Sequence, residues 1–288
     1  MITRRVLLPA ALLAFGAARA AGPGRIVSVG GAITEAAFAL GAGAQVAAVD
    51  TTSRFPAAVQ ALPQIGYMRA LAPEGLLALR PDLLLLSDEA GPAQALAVLH
   101  AAGLPIATIR DGAGPGAAEA KIRAVAAALG LPGEAVTAAV AADWQALDAP
   151  IAALPRPRVL FLLSAARGAP LVSGRDTHAD AMLRAAGAEN AVRDFTGYRP
   201  LSAEAAATLA PQAIIMMEHS IGEAGGVEAL LAIPALAVTP AAASRRVVAV
   251  DGSYALGFGP RAAQARRDLA RQLHPDAHLP ELPARAWA

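Results

Sequence analysis

The segment LAPEGLLALRPDLLLL, residues 71–86, recurs without a gap as LSAEAAATLAPQAIIM, residues 201–216, at an offset of 130 residues. In each copy a small residue (Ala72, Ser202) stands two before an acid (Glu74, Glu204). A helix follows, a proline ends it, and an apolar strand comes next. Ser202 suits an N-cap; Ala72 does not, although Pro73 suits the first helical position. Just upstream, Gly66-Tyr67 is matched by Gly197-Tyr198, with one residue deleted between. Solenoid repeats return every ~20–50 residues, so a duplication at this wider spacing predicts two similar lobes.

Around both copies, short β-branched runs alternate with alanine-rich helical patterns, the pattern of an α/β fold with mostly parallel strands. Strands are expected at RIVSVG (25–30), QVAAVD (45–50), DLLLLS (82–87), PIATIR (105–110), RVLFLL (158–163), AIIMM (213–217) and RVVAV (246–250). Helices are expected at 33–41, 73–80, 92–102, around 176–187 and from about Arg261. Residues 117–147 are helix formers interrupted only by GLPG at 130–133. The expected organisation is a signal peptide over 1–20, an N-terminal lobe over 21–116, one long connector helix over 117–150 and a C-terminal lobe over 151–288. Loops at the carboxyl ends of the strands would line a ligand cleft between the lobes.

The first twenty residues, MITRRVLLPAALLAFGAARA, have the form of a secretory signal: a basic start, a short apolar core and a small-x-small cleavage site. Removing their three arginines takes the formal charge from +1 to −2, with no sign bias toward nucleic acid. There is no cysteine, hence no disulfide framework, thiolate metal site or lipidated cysteine. No later apolar run reaches the ~18 residues of a membrane span. A soluble periplasmic protein is expected.

Tyr67 and Arg69, in GYMRALAPEG (66–75), share a face if the segment is extended. A phenolate is a hard anionic ligand suited to ferric iron, and tyrosine serves as an axial haem ligand. A phenol ionises near pH ~10, and a cation within ~4–6 Å favours the charged form. The competing reading is a loop tyrosine packed against a surface arginine. Arg69, Arg175 and Arg199 are candidates for pairing with haem propionates. Among five histidines, His100 reads as a helix-terminus cation and His178 lies in a helix's first turn. His274 and His278 are spaced i, i+4 but flank Pro275. His219, after AIIMM, is the best placed for a second ligand.

GAGAQVAAVD (41–50) has its glycines after a helix and before a strand, the reverse of a dinucleotide fingerprint. GAGPG (112–116) lacks the P-loop Lys-Ser/Thr. Ser87 has acids beside it but no nearby base, and G-x-S-x-G, H-E-x-x-H and EF-hand patterns are absent. A binding protein rather than an enzyme is expected.

The chain resembles the periplasmic haem-binding proteins of bacterial ABC haem importers. These belong to the helix-linked class of periplasmic binding proteins, which also serves siderophores and cobalamin. The resemblance runs over nearly all of residues 24–280. It is carried by RIVSVGGAITEAAFALGAGAQVAAVDTTSRFP, LPQIGYMRALAPEGLLALRPDLLL, APLVSGRDTHADAMLRAAGAENAV, GYRPLSAEAAATLAPQAIIM and GFGPRAAQARRDLA. It implies a rigid connector, ferric haem b held edge-in between the lobes as transported ligand, Tyr67 as axial ligand and Arg69 as its companion. It further implies a monomer whose Glu74 and Glu204 dock on the ABC permease dimer of the inner membrane. Tyr198 would face the same cleft.

Two departures stand out. Some relatives place a histidine in the second lobe for a stacked second haem, where FLLSAARGAP has Ser164 and Ala165. Others carry an arginine after the strand matching AIIMM, where this chain reads MEHSIGEAGG. That leaves His219 three roles: replacing the arginine, ligating iron opposite Tyr67, or neither. One haem or two stays open. The rival readings are a ferric-siderophore or cobalamin carrier and a periplasmic enzyme acting on tetrapyrroles or through a metal.

Overall fold

Four short runs near the amino end form one parallel sheet in the computed structural model, which describes residues 23–165 and 170–287. They are β1 (Ile26–Val29), β2 (Val46–Val49), β3 (Leu83–Ser87) and β4 (Ile106–Ile109), in the order β2-β1-β3-β4. The expected signal peptide lies outside the described residues. The helices of this half are α1 (Gly31–Ala39), α2 (Pro73–Ala78), α3 (Ala93–Ala101) and α4 (Ala117–Leu129). Every residue of β1 and β3 is buried, as a parallel sheet covered on both faces requires. Leu83 and Leu85 pack with α1 and α4; Leu84 and Leu86 pack with Leu76 of α2 and Leu99 of α3.

Next come two helices, α5 (Glu134–Gln145) and α6 (Asp148–Ala152), and then the strands of the second lobe. The strands are β5 (Arg158–Ser164), β6 (Leu171–Ser173), β7 (Glu189–Asn190), β8 (Tyr198–Pro200), β9 (Ala213–Met217) and β10 (Val247–Val250). They run in the order β10-β9-β5-β6-β8, with β7 also on β5. The pairings among β10, β9 and β5 are parallel, and those of β6 with β5 and β8 are antiparallel. The antiparallel pair has no counterpart in the expected elements, because three-residue strands are too short to show a period of two. Helices α7 (His178–Ala185), α8 (Ala203–Leu209), α9 (Glu218–Glu223), α10 (Val227–Leu231), α11 (Pro234–Ala237), α12 (Pro240–Ala243), α13 (Gly252–Leu256) and α14 (Ala262–Leu273) complete the chain.

The duplication is physical. Helices α2 and α8 each end on a residue in left-handed conformation, Arg80 (φ 47°) and Ala210 (φ 44°), before the matched prolines. In each lobe the next side chain caps a backbone N–H at the foot of the central sheet. Asp82 accepts from Arg25 at 2.8 Å and Gln212 accepts from Arg158 at 2.9 Å. Both strands that follow are buried in the middle of their sheets.

The connector differs from the single helix expected over 117–150. Gly130 takes a left-handed conformation (φ 64°) that ends α4, and Pro132 has no N–H to continue it. Helix α4 packs into the N-terminal lobe, and α5 with α6 makes the crossing. One buried apolar cluster follows it from Ile33 and Ile122 through Val140, Trp144 and Leu147 to Phe161 and Phe258.

Polar struts reinforce this crossing. Arg261 at the head of α14 pairs through two bonds (2.6 and 3.0 Å) with buried Glu35 of α1, its guanidinium over the ring of Phe55 at 3.7 Å. Burial pushes the Glu35 carboxyl up, and Arg261 pulls it back only in part. Removing Arg261 leaves that buried charge unpaired. Arg261→Met is therefore expected to cost about 3 kcal/mol of stability at about pH 7. With its pKa raised further, Glu35 binds a proton more tightly in the folded than in the unfolded chain. The variant should therefore regain stability between about pH 7 and a more acidic pH, as pH falls through the folded-state value. Urea unfolding at the two pH values checks both the size and the sign.

Candidate functional site

The carboxyl ends of β1, β2 and β3 and the loops after β9 and β10 open on a shared cleft of about 890 Å³. That lies near the top of the ~300–1,000 Å³ range of small-molecule sites. Its floor is built by close backbone approach. Asp50, fully buried, accepts from the Gly30 N–H (2.9 Å), from Thr52 and from Ser53, and so gathers the loops after β1 and β2. A Cβ on Gly31 would stand 2.6 Å from the Thr52 carbonyl, so a side chain there would push these loops apart.

Tyr67 stands on the N-terminal wall. Gly66 turns the chain at φ 92°, and its carbonyl accepts from the Thr51 N–H at 3.0 Å. Met68 is buried in the lobe, and its neighbours Tyr67 and Arg69 point out of it. The segment is a turn closed by the Ala70 N–H on the Tyr67 carbonyl at 2.8 Å, and not the extended run under which their spacing would place them on one face. Tyr67 is 44% exposed. Arg69 Nη1 donates to its hydroxyl at 2.8 Å, and Nη2 donates to Glu89 Oε2 at 2.5 Å. Partial burial works against the Arg69 charge, but hydrogen bonds with Glu89 and Tyr67 outweigh it and push its pKa up.

The facing wall carries Tyr198 and His219. Burial pushes the Tyr198 phenol up, opposed by Thr177 and by the charge of Arg69 across the cleft. The two internally matched tyrosines are thus chemically unequal. Tyr67 has a guanidinium on its hydroxyl, whereas burial is the largest influence on the Tyr198 phenol. His219 sits in the first turn of α9 beside Glu218 and Met217, all three on the cleft.

Arg199 is not brought to this site. Along β8 successive side chains alternate, so with Tyr198 on the cleft Arg199 points away and lies over the Phe195 ring at 4.8 Å. Arg175 pairs its backbone with Thr196 and is likewise not among the cleft residues. Glu74 and Glu204 are exposed in the first turns of α2 and α8, away from the cleft and without a salt-bridge partner among the described residues.

Several cleft residues were not singled out from the sequence: Arg54, Glu89, Asp111 and Met217. Glu89 had a signal, since a loop after the carboxyl end of a parallel strand is where such sites form. Asp111 had none. It accepts from Lys121, whose ammonium is fully buried, at 2.5 Å, and Lys121 reaches the Gly257 carbonyl of the other lobe. The His178 ring joins the same cluster through the Asp111 carbonyl at 3.1 Å.

A family model described as periplasmic binding protein matches residues 26–254. The chain belongs to the periplasmic binding protein family. Within it, the chain is similar to the periplasmic heme-binding protein BhuT, solved in complex with two hemes, at 43% identity and a TM-score of 0.82. That match covers 86% of this chain and 97% of the other. It is similar also to the periplasmic heme-binding protein RhuT from Roseiflexus sp. RS-1, solved in apo form. Identity there is 41% and the TM-score 0.85, over 89% of this chain and 100% of the other. A more distant relative is YvrC, an uncharacterized ABC transporter substrate-binding lipoprotein of Bacillus subtilis. It is 26% identical across 88% of this chain and 81% of its own length.

Proposed function

We propose that this periplasmic binding protein carries haem in the cleft and delivers it to an ABC permease. The observation that carries the reading is the Tyr67 hydroxyl on the cleft wall with the Arg69 guanidinium 2.8 Å away. The guanidinium donates a hydrogen bond to that oxygen, and a tyrosine oxygen is a hard ligand for ferric iron. The likeness to heme-binding BhuT and RhuT over most of the chain supports the same ligand. In this reading the cargo is ferric haem b, Tyr67 is its axial ligand, and Arg69 stabilises the ligating oxygen. Tyr198, on the opposite wall, contacts the ring or donates a hydrogen bond. Glu74 and Glu204 are the contacts to the permease.

The deciding experiment is a hemin titration of the purified mature protein, followed by absorbance from the ultraviolet to the near infrared. A saturating shift of the main porphyrin band is expected. It should come with a charge-transfer feature that disappears in Tyr67→Phe. No saturable change would reject haem as the ligand and leave siderophores and cobalamin to be tried. Because Arg199 faces away from the cleft, Arg199→Ala should leave the hemin Kd within about twofold of the parent. A larger loss would mean that β8 presents Arg199 to the ligand in the complex.

A further inference from the structure

Arg69 serves two oxygens at once, the Tyr67 hydroxyl on one side and the Glu89 carboxylate on the other. The arrangement is built. The Glu89 backbone N–H donates to buried Ser87 Oγ at 3.1 Å, which fixes the turn after β3. The Gly91 N–H donates to the Met68 carbonyl, and the Leu71 N–H donates to the Gly91 carbonyl, both at 2.9 Å. Two backbone bonds therefore tie the loop that carries Glu89 to the loop that carries Tyr67 and Arg69. Both side chains of the ion pair keep about half their exposure, 52% and 43%. Pairs so exposed contribute little to folding. The tethering is out of proportion to any stabilising role.

Resting on the haem reading above, we propose that Glu89 is a positioning residue that sets how tightly the cleft holds its cargo. Its carboxylate aims the Arg69 guanidinium at Tyr67 and at the same time takes up part of its charge. A guanidinium shared between two anions stabilises each less than it would stabilise one alone. The phenolate is placed for ligation but not held at full strength, which suits a carrier that must surrender its cargo. Glu89→Gln keeps an oxygen acceptor of the same length on Arg69 and removes the competing charge.

The test is hemin release from the full mature protein to excess apomyoglobin, with the equilibrium Kd measured alongside. Glu89→Gln is expected to slow release and lower Kd by about three- to fivefold, the scale of one exposed charge pair. In an Arg69→Met background the same substitution should change release by less than about twofold, because Glu89 acts through Arg69. The charge-transfer feature of tyrosinate ligation should persist in Glu89→Gln. The melting temperature of the ligand-free protein should stay within about 2 °C of the parent. Unchanged or faster release with Arg69 present overturns the role, and so does an equal effect without Arg69. A parent protein that shows no saturable hemin binding overturns the haem reading and this role with it, an outcome distinct from a parent that binds and a variant that does not differ.

Discussion

Tyr67→Ala is expected to weaken hemin binding by at least about tenfold, or about 1.4 kcal/mol. Met68 beneath it and the Gly66–Thr51 bond hold the loop without help from the phenol ring. At 44% exposure, the ring contributes little to folding, so the loss should appear in affinity and not in the melting curve. Arg69 would remain, still held by Glu89, and could attract propionates but could not ligate iron. Tyr67→Phe sharpens the result, because it keeps the ring and removes only the oxygen. It should lose the charge-transfer feature entirely and most of the affinity. A dissociation constant equal to the parent's in both variants would end the assignment of Tyr67 as iron ligand.

Reversing both Glu74 and Glu204 to arginine should abolish delivery to the permease and leave the hemin Kd unchanged. Both carboxylates are exposed, both lie in the first turn of matched helices, and neither lines the cleft. A negative charge at a helix start is worth about 0.3–1 kcal/mol, so the double reversal should leave the fold standing. If the proposed docking holds, the double variant reverses the charge each lobe offers to the permease, and like charges across an interface cost several kcal/mol. The readout is haem transfer into proteoliposomes holding the partner permease, with hemin titration of the same variant beside it. Transfer at the parent's rate would exclude these two residues as the docking contacts. Loss of transfer and binding together would point to a folding defect.

The duplication was readable because it repeats whole local devices. Glu74 and Glu204, the prolines at 81 and 211, and the strands that follow each obey rules that act within about ten residues. The same rules ended α4 at Gly130, yet helix propensity over 117–147 suggested one connector. Propensity does not say which lobe a helix packs on; Ile122 and Val125 on α4 decided that by burying in the first lobe. Arg199 shows the opposite limit. Its place beside Tyr198 suggested a shared role, and pairing with β6 turned it to the other face.

Local patterning alone was enough for the α/β class, the two lobes and the exposed acids at the two helix starts. Each depends on spacing along the chain, where helix and strand periods set which residues share a face. The pairing of Glu89 with Arg69, the burial of the Tyr198 phenol, the turning away of Arg199 and the buried Lys121–Gly257 link between lobes were decided by tertiary structure. These follow from distance and dielectric between segments far apart in sequence. A charge's partner and its burial exist only once the chain has folded.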